Sequence, residues 1–177
     1  MDSTQASLMT AAIGVSVVSL AVSCLSLGWQ IASWLMSAGR VRVELKHGLI
    51  NSGAAFLGPV GKKGTLRNLT TLRGQGVTGQ EVLAIEVVNV GRAPVTVTKY
   101  GATLRGADVS VTPVHDTIGK NLPFRLEPGE SETWAIDITS VWALVHAGQV
   151  LKPGARNICM TADLGTGKKR RTRTIKM

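Results

Sequence analysis

Leu83-Ala84-Ile85-Glu86-Val87-Val88-Asn89-Val90-Gly91-Arg92-Ala93-Pro94-Val95-Thr96-Val97 is the stretch that decides how most of this chain folds. Leu83, Ile85 and Val87 recur at every second position, the period of a strand with one buried face. Val95 and Val97 resume that period, alternating with Thr96 and Thr98. Between the two runs, Gly91 supplies turn dihedrals and Pro94 blocks continuation of the first strand.

The same pattern spreads outward in both directions. Val41, Val43 and Leu45 alternate with Arg42, Glu44 and Lys46, and Val109 pairs with Val111 across one residue. Trp134, Ile136 and Ile138 alternate with Ala135 and Asp137, and Ile158, Met160, Ala162 and Leu164 form a further apolar row. Arg105-Gly106-Ala107-Asp108, Pro128-Gly129 and Gly165-Thr166-Gly167 punctuate them. About seven or eight short strands at this spacing predict a mainly β chain folded as an antiparallel sandwich. One short helix is expected over Ser140–Ala147, with Ser140 as its N-cap and Gly148 as its stop. Gly48 to Gly79 is glycine-rich and weakly patterned, and reads as a long loop or a poorly ordered excursion. Trp134 and Trp142 are assigned to the core.

Glu86 to Val97, followed by Leu122-Pro123-Phe124-Arg125-Leu126-Glu127-Pro128-Gly129-Glu130-Ser131, resembles the immunoglobulin-like sandwiches of small bacterial membrane-anchored proteins. In those domains an Asn-x-Gly turn joins two strands, and a Leu-x-Pro-Gly turn precedes a strand carrying Trp. The likeness covers Val41 to Lys176. It implies an immunoglobulin-like fold and an adhesive or scaffolding role, with no catalytic residues to carry over.

Upstream of Arg40 the chain changes character. From Ser3 to Gly39 there is no charge, and Leu8–Leu27 contains four Leu, one Ile and four Val. A hydrocarbon core of ~30 Å needs about 20 apolar residues in a helix. Nine strongly apolar residues favour insertion by about 3 to 5 kcal/mol, less what four serines and Gly14 remove. Two regions are therefore expected: residues 1–39, a single-pass transmembrane anchor helix with an interfacial extension, and residues 40–177, the sandwich with a basic C-terminal tail. Trp29 and Trp34 fit the aromatic belt, with Arg40 and Arg42 just beyond it. Gln30 to Gly39 is expected at or beyond the interface, with Gly39 stopping the helix.

Ala12, Ser16, Ser19, Ser23, Ser26, Gln30, Ser33 and Ser37 recur at spacings of four and three, a seam of small and polar residues on one helix face. Such seams let helices approach closely in lipid and allow hydroxyls to bond across the contact, which predicts self-association. Two processing alternatives stand beside the anchor. A secretory signal wants a positively charged n-region, where this chain has only Asp2 and the terminal amine. Ala21-Val22-Ser23-Cys24 resembles a bacterial lipobox, yet Leu25 to Met36 stays apolar where a lipoprotein tether is polar.

All 20 Lys and Arg follow Gly39; setting Asp2 aside from the 11 acidic residues leaves 10 against them. Arg40, Arg42 and Lys46 directly follow the helix, so the positive-inside rule predicts a cytoplasmic C-terminal domain. The two cysteines, Cys24 and Cys159, fall on opposite sides of the Gly39 boundary, which excludes a disulfide-stapled secreted domain.

The strongest charge cluster is Lys168, Lys169, Arg170, Arg171 and Arg173, with Lys176 beyond. As a polybasic tail it would meet anionic lipid, or nucleic acid through phosphates, although no aromatic residues interleave for base stacking. Alternatively Arg171–Lys176 is a final edge strand guarded by charge. His47, His115, His146, Cys159 and Asp116 lack metal-ligand spacing, and Cys159 faces away from the Ile158 row. There is no Gly-x-Ser-x-Gly nucleophile turn, and Gly58 to Thr65 lacks the spacing of a phosphate loop. The expectation is a non-enzymatic, membrane-tethered binding or assembly module without cofactor or metal. Its partners are the lipid bilayer and a protein or a second copy, and no small-molecule substrate is identified. The alternative is a peripheral electrostatic module whose basic C-terminus binds anionic lipid or nucleic acid.

Overall fold

The computed structural model of the chain describes residues 3–36, 38–51, 53–61, 64–114 and 118–177. They divide into two compact units, Met1–Ala38 and Gly39–Met177.

The first unit is one helix, α1 (Ser3–Met36), of 34 residues. Within it Ala12–Trp34 is a run of 23 residues with mean hydropathy 1.9 and nothing buried, long and apolar enough to cross a membrane. This run shares Ala12–Leu27 with the predicted Leu8–Leu27 and continues past it to Trp34. The helix ends at Met36, so Gly39 does not stop it. Gly39 belongs instead to the second unit, where a Cβ would lie 2.5 Å from Val95 Cγ2.

The second unit is mainly β, built from two antiparallel sheets in a sandwich-like arrangement. The first contains β1 (Val41–Ile50), β2 (Ala55–Pro59), β3 (Gln80–Asn89) and β7 (Ser131–Asp137), in the order β2-β1-β3-β7. The second centres on β4 (Val95–Leu104) and β8 (Asn157–Leu164). On one side of β4 lie β5 (Val109–Val111) and β6 (Phe124–Leu126); beyond β8 lie β9 (Lys169–Arg171) and β10 (Ile175–Lys176). The inward rows predicted from alternation meet in the core: Leu83, Ile85 and Val87 with Val95, Val97, Trp134, Ile136, Ile158, Met160, Ala162 and Leu164.

Asn89 is the last residue of β3. Its Nδ2 donates to the carbonyls of Ala93 (2.9 Å) and Leu126 (3.1 Å), and its Oδ1 accepts from Gly91 N (3.0 Å). A fully buried amide with its polar atoms paired thus fixes the β3–β4 turn to β6. Past the turn, β4 carries a bulge between Val97 and Lys99. One extra residue reverses which side chains face inward. Val95 and Val97 lie on the core side before it; Tyr100, Ala102 and Leu104 do so after it.

Three sequence expectations are corrected here. The segment from Gly48 is not one long loop: β1 runs to Ile50, β2 returns along it, and α2 (Thr70–Gly74) follows. Phe56 and Leu57 lie opposite Leu49 and Gly48, and a Cβ on Gly48 would sit 1.9 Å from the Phe56 carbonyl oxygen. Second, α3 spans Ile138–Leu151, longer at both ends than Ser140–Ala147. Asp137, not Ser140, caps it, accepting from Thr139 N at 3.2 Å. Gly148 lies inside α3 because the helix packs too close to Leu104 Cδ2 for a Cβ, which would stand 2.0 Å away. Third, Trp142 is 41% exposed on the outer side of α3, near His146, whereas Trp134 is fully buried in the core.

Candidate functional site

The predicted basic cluster is an edge strand rather than a loose tail. A tight turn at Gly165–Gly167 returns the chain along β8, with Leu164 N donating to Lys168 O at 2.9 Å. Lys169 faces Asp163 across the pair (Nζ to Oδ1 3.4 Å), Arg170 faces Ala162, and Arg171 faces Thr161. The pairing resumes at Ile175 opposite Ile158. Four steps from Arg171 to Ile175 oppose three from Thr161 to Ile158, so the edge carries a one-residue bulge. Thr172 spans it: its backbone N–H donates to Met160 O (2.9 Å), and its hydroxyl accepts from Met160 N (3.0 Å). Arg173 projects from the bulge, exposed, and Thr174 Oγ1 accepts from the Arg105 guanidinium at 3.3 Å. Lys168, Lys169, Arg170, Arg171 and Arg173 are all exposed along this one edge.

A groove of about 550 Å³ runs beside it, between the two sheets. One wall is Arg42, Val43, Glu44 and Leu45 of β1; the other is Arg173 and Thr174. Gly61 and Gly64 close one end, with Gly64 N donating to Gly61 O at 2.9 Å. Gly64 has φ +71°, and a Cβ there would meet Thr174 O at 2.7 Å. That glycine-rich stretch therefore serves close approach to the C-terminal edge; Lys62 and Lys63 within it lie outside the described residues.

The predicted anchor residues are split between the units. Trp29 and Trp34 are exposed on α1. Arg40 and Arg42 belong to the β unit: Arg40 O accepts from Val90 N (2.8 Å), and the Arg42 side chain pairs with Glu44. On α1, the side chains from Ala12 through Ser16, Ser19, Ser23, Ser26 and Gln30 are exposed. Ser16 and Ser23 each turn the hydroxyl back to the carbonyl four residues earlier, at 2.8 Å to Ala12 O and Ser19 O. Those two donors are therefore satisfied inside the helix. Ser37 lies outside the described residues.

The metal-type residues do not converge. Among the described residues no three His, Cys, Asp or Glu side chains form a metal set; His115 and Asp116 lie outside those residues. Cys159 is buried off the main core row, its Sγ 3.9 Å from Thr103 O. Burial pushes its thiol pKa up, against the opposing pull of Arg171 and Arg105.

Sequence reasoning missed a polar cluster under α2. His47 is 1% exposed, with Nδ1 accepting from Arg67 N at 3.2 Å. Nε2 therefore carries the hydrogen and donates to Glu81 Oε1 at 3.0 Å, while Arg73 donates to Oε2 at 2.8 Å. The signal was His47 occupying an inward position between Leu45 and Leu49. Glu81 of β3 thus holds both Arg73 of α2 and His47 of β1, a structural role for the excursion. No family model matches the chain, and no curated protein matches it.

Proposed function

We propose that the protein is a single-pass membrane-tethered binding or assembly module. In this reading α1 crosses the bilayer and an immunoglobulin-like domain stands on the cytoplasmic side. The observation that carries it is the contrast in burial: Ile13, Val17, Leu20, Leu25 and Ile31 are all more than half exposed on α1, whereas the β unit buries its own apolar rows. A helix that exposes apolar side chains over most of its circumference needs an apolar solvent. A signal sequence meets the same test of length and composition, but its apolar region spans about 7–15 residues, against 23 in Ala12–Trp34.

The strand order supports the immunoglobulin-like part. β2-β1-β3-β7 faces β6-β4-β8 with β9 and β10 outermost, and the chain passes between the sheets at β3–β4, β6–β7 and β7–β8, as in a Greek-key sandwich. The orientation rests on Arg40, Arg42 and Lys46 following a helix with no charge. The module reading, without catalysis, rests on an exposed basic strand edge beside a groove.

The test is alkaline carbonate extraction of membranes containing the full chain, together with a reporter fused after Met177 that is active only outside the cytoplasm. Retention in the pellet with a silent reporter is the expected result. Release into the supernatant sinks the anchor, and an active reporter reverses the orientation.

A further inference from the structure

Every strand edge carries unpaired backbone groups unless something covers it, and this domain covers several of its edges. β7 is met by Ile118, whose carbonyl accepts from Ala135 N at 2.9 Å, and Gly119 packs against Thr133 O. The β9–β10 edge is protected by its bulge and its charges.

Among the described residues, the first half of β1 has none of these devices. β3 pairs with all ten residues of β1, but β2 pairs only with Lys46–Ile50. Direction follows from the hydrogen bonds at each end. Arg40 O accepts from Val90 N on the β3 side, whereas Leu45 O accepts from Val60 N, and Asn51 N donates to Ala54 O, on the β2 side. Backbone groups alternate along an antiparallel strand, so Val41 and Val43 present N–H and C=O away from β3. Among the described residues these groups have no backbone partner.

That open edge is the wall of the groove that ends at Arg173 and Thr174. We propose that this groove takes an extended peptide segment of another protein, added as a strand along Val41–Val43, with acidic residues alternating with apolar ones. Backbone pairing with Val41 and Val43 would supply affinity, and side-chain positions would supply specificity. A residue opposite Val43 points between the sheets toward Arg173. One opposite Arg42 lies on the outer face, where a carboxylate can compete with Glu44 for the guanidinium. Lys169, Arg170 and Arg171 extend the positive field beyond Arg173, steering an acidic segment inward.

A second copy fits less well. Pairing two β1 edges about a two-fold axis at Val43 would set Arg42 against Glu44, but it would also bring the two basic β9 edges together. Anionic lipid or nucleic acid would use the cations and ignore the open N–H of Val43. The inference rests on reading the β unit as a binding module, and not on α1 as an anchor.

The test uses the full chain in neutral-lipid nanodiscs and a fluorescent acetylated peptide of alternating Val and Glu. Comparison peptides carry Lys for Glu, or N-methyl groups on alternate amides. In Val43→Pro the lost N–H is the outward one, a position where an edge strand accepts proline without losing a ladder bond. Arg173→Glu inverts the charge at the other wall. The Val-Glu peptide is expected to bind, with each altered peptide and each variant weakening it by about tenfold or more, at unchanged melting temperature. Should Val43→Pro not melt like the parent, the N-methyl peptide against the unaltered chain decides the same point. Equal binding of the N-methyl peptide overturns strand addition, and equal binding of the Lys peptide overturns the acidic partner. Dimerisation abolished by Val43→Pro assigns the edge to a second copy instead. Vesicle or DNA binding that falls in Arg173→Glu but survives Val43→Pro, with no peptide binding, assigns it to anionic polymers or lipid. Any of these failures in a chain still resisting carbonate extraction leaves the membrane anchor intact.

Discussion

Val, Leu and Ile meet opposite fates in the two units. On α1 Val15, Val18, Leu20 and Val22 are all more than half exposed, whereas Val82, Leu83, Ile85 and Val87 on β3 are completely buried. Composition does not separate them. Periodicity and the disposal of backbone polar groups do. A helix satisfies its own N–H and C=O groups and can therefore carry apolar side chains all round into lipid. A strand satisfies none of its backbone groups internally and leaves half to the neighbour on each side, so its apolar face must be buried together with other strands.

The largest effect that tests the contrast comes from charge in α1. Val18→Arg with Val22→Arg costs about 5 to 7 kcal/mol of insertion, more than the apolar residues of Leu8–Leu27 provide. Release from carbonate-washed membranes is expected, with the melting temperature of the β unit unchanged. A β unit that unfolds in this variant would show that the two units do not fold separately.

The next effect lies in the stretch that decides the β fold. Asn89→Ala leaves the carbonyls of Ala93 and Leu126 and the N–H of Gly91 without their side-chain partner. Buried groups left unpaired cost about 1–3 kcal/mol each, partly recovered by relaxation, so a loss of about 2 to 4 kcal/mol is expected. Denaturant unfolding measures it, and membrane retention stays intact.

A smaller effect tests how dry the β core is. Burial pushes the Tyr100 phenol up to about 12, from an ordinary value near 10. Above pH 10 the unfolded chain gives up this proton first, so the contribution is complete below pH 10 and falls as pH rises toward 12. The loss is at most about 2 to 3 kcal/mol. Tyr100→Phe forfeits the hydrogen bond to Ala135 O (3.2 Å), and its stability should fall less steeply than the parent's between pH 10 and 12. Parallel profiles would mean that water reaches the phenol.

These elements also mark where the sequence was legible. Alternation at Leu83–Val87, Val95–Val97 and Ile158–Leu164 placed the inward rows correctly, because a two-residue period is a local property. The bulge after Val97 escaped, since Thr98 looks like any other strand residue until β8 is set beside it. β2 and α2 were missed because glycines chosen for close approach, such as Gly48 against Phe56 O, look the same as glycines chosen for turns. Gly148 misled for the same reason. The groove was invisible: the residues lining β1 and Arg173 are more than a hundred positions apart, and nothing local marks Val41 and Val43 as the half of β1 without a second neighbour. The basic cluster itself was plain, and only its pairing with β8 was undecided.

The smallest effect concerns the serine seam on α1, where the structure sharpens what the spacing alone suggested. Ser16 and Ser23 spend their hydroxyl hydrogens on Ala12 O and Ser19 O. What those two positions then offer a second helix is small size and a lone pair, rather than a donor. If the seam is a contact, close approach carries it. Ser19→Leu with Ser23→Leu should weaken self-association by about 1–2 kcal/mol, the scale of polar and small-residue helix contacts in lipid. Ser19→Ala with Ser23→Ala should leave it nearly unchanged, and Val18→Leu with Val22→Leu, on lipid-facing positions, should do the same. Energy transfer between labelled full-length chains in vesicles of varied protein-to-lipid ratio reads all three. If alanine weakens association as much as leucine does, the hydroxyls bond across the contact after all. If the valine pair matters as much as the serine pair, the seam is not the contact face. A chain that shows no association in vesicles leaves α1 as an anchor alone.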